Sequence, residues 1–191
     1  LFPMELMEEK ILREGKVLPG GILKVGNFLN QRIDTVFLKQ MGQEIARLFA
    51  EDGVTKILTI ESSGIAIAAA AGMEMGVPLV FAKKHKSSNV DGSVYSTVVH
   101  SFTHGTDYNV VVSRDYLCSD DTILLVDDFL AGGNALRGLI DLCNQAGAKV
   151  AGAAIAIEKA FQNGGDKLRA EGLRVESLAI LESMEGGNIV F

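Results

Sequence analysis

Residues 123–135 read ILLVDDFLAGGNA: an apolar run, two adjacent carboxylates, and a small turn with two glycines opening a helix-period stretch. An apolar run of that length bounded by charge and turn residues is the mark of a strand buried between layers of helix. After the turn FLAGGN, Ala135, Leu136, Leu139, Ile140 and Cys143 recur at helical spacing. The same unit occurs upstream. Asp34 is placed to cap a helix whose Phe37, Leu38, Met41, Ile45, Leu48 and Phe49 share one face, ending at Asp52-Gly53. Val54–Ile60 (VTKILTI) then reads as a buried strand leading through Ser-Ser-Gly into a small-residue helix. Further strands are predicted at Pro78–Ala82, Lys149–Ile157 and Val175–Leu181. Strands alternating with helices predict an α/β domain around a central, largely parallel sheet flanked by helices, with ligands at the carboxyl ends of the strands. Residues 83–113 mix Ser, Thr, Asn and Gly with strand-like runs and read as a hairpin or a long flexible loop. The alanine patch Ala68–Ala71 reads as close packing of helix on sheet.

With 191 residues, 48% hydrophobic and 22% charged, the chain is long enough for one core and predicts a single domain, 1–191. A net charge of -6 gives no long-range attraction to nucleic acid or to anionic membrane, so an anionic ligand must be held by a local site. The most apolar stretch, Gly64–Met73, falls well short of the roughly 20 residues that span a bilayer. The opening LFPMELMEEK is acidic where a secretory leader is basic and then apolar, so a cytoplasmic location is expected. Cys118 and Cys143 show no metal or disulfide spacing, and no resident metal site is expected. Cys118 reads as a turn residue and Cys143 as a small apolar residue on a helix face. His100 and His104 are four apart in a strand-like stretch, which is not a helical metal pair; they read as polar residues of the loop.

The acidic pair and the glycine turn have complementary uses. Gly132 and Gly133 allow backbone to approach a ligand closely, and the free amides and dipole at a helix start favour an anion such as phosphate. Asp127 and Asp128 would repel phosphate but accept hydrogen bonds from the hydroxyls of a sugar, or hold a divalent cation. A phosphorylated sugar satisfies both halves. The same residues also read as a solvated strand end followed by a plain turn.

VDDFLAGGNA resembles the phosphoribosyl-pyrophosphate (PRPP) motif of type I phosphoribosyltransferases, two acidic residues between apolar pairs followed by a small loop. The family usually carries threonines where this chain has Gly132 and Ala135, so Asn134 and backbone amides must take over contacts made by hydroxyls. The resemblance extends through Gly20–Asp34, Thr55–Ala66, Phe81–Ser87 and Ala156–Gly164, and is nearest to the xanthine-using bacterial branch. It implies a type I phosphoribosyltransferase fold with a small hood from the N-terminal segment (1–34) and the C-terminal segment. It implies transfer of phosphoribose from PRPP to xanthine, giving xanthosine monophosphate and pyrophosphate, with Mg2+ carried by the pyrophosphate, and a homodimer.

The resemblance gives the remaining segments roles. Ala131 to Ala135 would hold the phosphate of PRPP, and Asp127 and Asp128 the ribose. Glu61, Ser62, Ser63 and Gly64 would offer donors to the leaving pyrophosphate, in a turn that carries a non-proline cis peptide in the family; the same Ser-Ser-Gly also reads as an ordinary helix start. Lys83, Lys84 and Lys86 would neutralise pyrophosphate as the loop after them closes, although a lone basic run is also an ordinary solvated loop. Catalysis by Asp127, Asp128, Lys83 and Lys84 would be electrostatic and positional. Where hypoxanthine/guanine relatives place an aspartate near the base, this chain has Ala131 or its neighbour, which leaves the proton acceptor open. Lys159 would donate to purine carbonyls, Leu23 and Asn30 match base-contacting positions, and Phe161 would stack on the ring. Two rival readings remain: an adenine or hypoxanthine/guanine enzyme, and a PRPP-sensing purine regulator without catalysis. Against the regulator, the first thirty or so residues show no helix-turn-helix pattern and no basic stripe.

Overall fold

A computed structural model describes residues 4–85, 92–101 and 106–191. Lys86 and His104 lie outside them. The chain runs α1 (Glu5–Glu14), β1 (Lys16–Leu18), β2 (Ile22–Lys24), α2 (Thr35–Leu48), β3 (Lys56–Ile60), α3 (Gly64–Met75), β4 (Leu79–His85), β5 (Val94–Ser101), β6 (Thr106–Ser113), β7 (Thr122–Leu130), α4 (Asn134–Ala146), β8 (Lys149–Lys159), α5 (Gly164–Ala170) and β9 (Val175–Leu181). β1 and β2 form a small antiparallel ribbon, and the other seven strands form one sheet in the order β5-β6-β4-β3-β7-β8-β9. β4, β3, β7, β8 and β9 are parallel to one another. β5 and β6 pair antiparallel and extend the sheet through β4.

The expected α/β sheet is present; within 83–113, Lys83–His85 belong to β4, while β5 and β6 pair antiparallel. Three strands run further than their sequence suggests, β8 by two residues to Lys159. β4 continues through Lys83, Lys84 and His85, because β6 pairs with it at those residues. β7 continues through Asp127 and Asp128 to Leu130, because β8 supplies ladder partners on that side. Both acids therefore sit within a strand, not after it.

Burial follows the two faces of the sheet. On one face α1, α2 and α3 cover a cluster that includes Met7, Ile11, Phe28, Met41, Ile45, Ile67, Leu124 and Val126. On the other, α4, α5 and the hairpin cover Leu58, Ala82, Val110, Leu125, Leu139, Cys143 and Leu168. Asp34 caps α2 by accepting the Phe37 N–H at 3.1 Å. The alanine-rich α3 packs on the sheet and also lets α2 approach closely: a Cβ on Gly42 would lie 2.7 Å from the Ala70 carbonyl. The N-terminal segment belongs to the first core. Met7 and Ile11 are buried there, and Lys10 pairs with Asp34 at 2.6 Å, tying α1 to the start of α2.

Candidate active site

β3 leads through α3 to β4 on one side, while β7, α4, β8, α5 and β9 build the other. The crossovers part between β3 and β7, and an open parallel sheet leaves a crevice at the carboxyl ends of such strands. Two sequence motifs meet there. The turn after β3, Glu61–Gly64, contains a cis peptide between Glu61 and Ser62, as the resemblance implies. Glu61 accepts the Lys84 backbone N–H at 2.6 Å and donates its own to the Ala82 carbonyl at 3.0 Å, fixing the turn against β4. Ser63 precedes α3 without a side-chain cap, so its hydroxyl is not spent on the helix start. Gly64 leaves no room for a side chain: a Cβ would collide with Thr59 Oγ1 and lie 3.2 Å from Asp127 Oδ1. Thr59 Oγ1 is buried and has no hydrogen-bond partner among the described residues.

The two aspartates are not equivalent. Asp127 lines a cavity of about 220 Å³ with His100, Tyr108, Ala131–Ala135, Lys159 and Gln162. Asp128 is buried and is not part of that wall, because successive side chains of a strand leave on opposite faces. Each carboxylate accepts the N–H that follows it, Asp128 N to Asp127 Oδ1 and Phe129 N to Asp128 Oδ1, both at 2.9 Å. Burial, then the neighbouring Asp128 carboxylate, pushes the Asp127 carboxyl well above its ordinary range, with Lys84 pulling weakly the other way. Burial and Asp127 together raise the Tyr108 phenol.

The turn after β7 ends in Gly133, whose φ of 90° is a conformation other residues rarely adopt; α4 starts at Asn134. The α4 start therefore faces the cavity beside Asp127. Asn134 does not offer its whole amide to a ligand, since Nδ2 donates to the His100 carbonyl at 3.1 Å and ties the turn to the hairpin.

A sequence profile of the phosphoribosyl transferase domain matches residues 35–176. The chain belongs to the phosphoribosyltransferase family. Proteins named xanthine phosphoribosyltransferase from Heliobacterium modesticaldum and Bacillus cereus are each 50% identical to it over 98% of its length, covering 100% and 95% of theirs. The adenine phosphoribosyltransferase of Giardia lamblia, solved with 9-deazaadenine, superposes with a TM-score of 0.78 at 22% identity, covering 93% of this chain and 98% of that one. The Thermoanaerobacter pseudethanolicus adenine enzyme gives 0.73 at 20%, over 91% and 99%. At that identity the likeness shows the fold, a type I phosphoribosyltransferase sheet.

In this phosphoribosyltransferase the two described lysines of the basic run part company. Being neighbours on β4, they leave on opposite faces. Lys84 stands 5.0 Å from the Tyr108 ring centroid, on the Asp127 side. Lys83 stands 5.9 Å from the Phe81 ring and lines another cavity, of about 610 Å³, with Phe81, Val111 and Tyr116.

The four expected base contacts also divide. Lys159, half-buried, ends β8 at the Asp127 cavity, with its ammonium 5.4 Å from the Phe129 ring and donating to the Gly21 carbonyl at 3.1 Å. Burial lowers its pKa. Phe161 is 39% exposed and faces the turn Leu18–Gly21 across a cavity closed by Glu182–Gly187. Leu23 and Asn30 line a third cavity, of about 460 Å³, beside Glu14 and Gln31. The link between these places is the β1–β2 turn, which touches Lys159 at Gly21 and reaches Leu23 two residues later. His100 reads in the sequence only as a polar loop residue, and Tyr108 and Gln162 carry no signal there. The first two come from the hairpin, which is held at the cavity by the pairing of β6 with β4 and by the Asn134–His100 hydrogen bond.

Proposed function

We propose that this chain is a xanthine phosphoribosyltransferase of purine salvage: xanthine and PRPP react to give xanthosine 5'-monophosphate and pyrophosphate. The observation that carries the substrate choice is the 50% identity, over nearly the full length of both chains, to proteins of that name. The geometry is compatible with it. In our reading the amides of 131–135 hold the 5-phosphate at the start of α4, Asp127 accepts from ribose hydroxyls with Asp128 behind it, and Glu61–Gly64 faces the pyrophosphate.

In the reaction the bond from C1 of the ribose to pyrophosphate oxygen breaks as a purine nitrogen bonds to C1. The electron pair leaves with pyrophosphate, and the purine nitrogen gives up its proton. The protein's part is orientation and charge. Lys84, on the Asp127 side, balances negative charge gathering on the leaving group. Lys159 donates to a purine carbonyl; xanthine has one more than hypoxanthine, whereas an amino group at that point would set donor against donor. Leu23, Asn30 and Phe161 complete base recognition as the segment 1–34 and the C-terminal segment close as a hood.

Mg2+ carried by the diphosphate would supply positive charge to the leaving group. The donor set fits such a shared ion: Asp127 is a carboxylate crowded by Asp128, which a cation would relieve. Asp127, on the cavity wall, is the carboxylate that would meet such an ion; among the described residues no group of three or more His, Cys, Asp or Glu could hold a metal by itself. We further propose a cytoplasmic homodimer, with the exposed Phe81 and Tyr116 beside the 610 Å³ cavity as apolar surface for the second copy. No helix among the described residues is long and apolar enough to cross a membrane.

The test is direct: the protein is incubated with PRPP, Mg2+ and each of xanthine, guanine, hypoxanthine and adenine, and nucleotide is followed. Turnover of xanthine at the highest kcat/KM is expected. Turnover of adenine alone would overturn the specificity, and no turnover with any base would favour a PRPP sensor.

A further inference from the structure

Glu158 is 1% exposed, one residue before Lys159, and its side chain turns away from the cavity into the protein. There it meets Arg169 in a forked pair, Nη1 to Oε1 at 2.8 Å and Nη2 to Oε2 at 2.7 Å, and accepts the Ser177 hydroxyl at 2.5 Å. Arg169 also donates to the Val175 carbonyl at 3.2 Å. One carboxylate thus ties β8, α5 and β9 together. The fit is close: a Cβ on Gly165 would overlap Glu158 Oε1.

The far end of α5 makes the consequence local. Its first residue, Gly164, packs on the backbone of the turn after β7: a Cβ there would overlap the Ala131 carbonyl oxygen and come within 2.7 Å of Gly132 C and 2.8 Å of Gly133 N. Leu168, on the same helix, sits 3.2 Å from where a Gly133 side chain would begin. A buried ion pair adds little net stability compared with apolar residues of the same volume. Its forked geometry does fix orientation.

We propose that Glu158, Arg169 and Ser177 are positioning residues for the phosphate-binding turn: they lock α5, and α5 through Gly164 sets the backbone of residues 131–133. The proposal rests on the reading that this turn holds the phosphate of PRPP. It assigns the two neighbours on β8 to the two substrates, Lys159 to the base and Glu158, at a distance, to PRPP.

The double variant Glu158→Leu/Arg169→Met replaces the pair by apolar side chains and is to be compared with Gly133→Ala, which strains the turn itself. In full-length protein of unchanged Tm, the double variant is expected to raise KM for PRPP about tenfold, with KM for xanthine within about twofold. Hydrogen exchange at the amides of 132–134 is expected to quicken while that of β3 does not. Should the double variant fail to fold, Arg169→Lys, which keeps the charge and loses the fork, is expected to raise KM for PRPP about threefold. Unchanged KM for PRPP in the folded variant, or equal changes for both substrates, overturns the positioning role. If Gly133→Ala raises KM for PRPP and the cluster variants do not, only the positioning role is lost. If Gly133→Ala leaves KM for PRPP unchanged, the phosphate reading falls and this proposal with it.

Discussion

The Lys159 ammonium donates to the Gly21 carbonyl at 3.1 Å, joining the end of β8 to the turn of the N-terminal ribbon. The contact spans 138 residues of sequence. A lysine in that place has one carbonyl partner and the face of Phe129, and has lost much of its water. In the function proposed above, it exchanges or shares that partner with the carbonyl of a purine.

Lys159→Ala is expected to raise KM for xanthine by about 10- to 100-fold and to leave KM for PRPP nearly unchanged, because it removes a donor that a buried purine oxygen needs. Steady-state kinetics with each substrate varied in turn checks this. Normal xanthine saturation would remove Lys159 from the base site.

Asp127→Asn is expected to lower turnover while raising Tm at pH 7. The folded-state pKa of Asp127 lies above that of the unfolded chain, chiefly through burial. Between the two values the folded form holds a proton that the unfolded form has released, so this group's contribution is most favourable below the unfolded pKa and declines as pH rises toward the folded one. The variant has no such decline. Its advantage in Tm should be small near pH 4 and larger at pH 7, and a Tm difference independent of pH would contradict the assignment.

Lys84→Ala is expected to reduce kcat/KM for PRPP more than Lys83→Ala does. Lys84 faces Tyr108 and Asp127, whereas Lys83 lies along Phe81 on the opposite face. Equal losses measured in the two single variants would mean that both ammonium groups reach the substrate.

Asn134→Ala removes the amide that holds the His100 carbonyl and is expected to cost about 1 kcal/mol. Faster hydrogen exchange along β5, seen by mass spectrometry, would accompany it. Unaltered exchange there would show that the hairpin is held by its other contacts alone.

Gly42→Ala is expected to destabilise the protein by about 1–3 kcal/mol, since the added methyl would press on the Ala70 backbone 2.7 Å away. Chemical denaturation reads this directly, and a wild-type midpoint would show that α2 can move aside at no cost.

What local pattern determined is considerable. Alternation of apolar strands with helix-period stretches located β3, β7, β8 and β9, and the Asp34 cap placed α2 at its observed start. These follow from backbone geometry and side-chain spacing within a few residues. The acid pair and glycine turn were visible for the same reason, one strand end feeding one helix start. Strand alternation in the sequence does not separate Asp127 from Asp128 or Lys83 from Lys84, because their membership of β7 and β4 depends on ladder partners in β8 and β6. Glu158 carries no local signal, because its partners Arg169 and Ser177 lie 11 and 19 residues away. Only the folded sheet decided which of two neighbouring charges faces the cavity and which is buried against a partner. That choice is made by long-range packing, where a carboxylate's solvation and its distance to a guanidinium outweigh anything its sequence neighbours dictate.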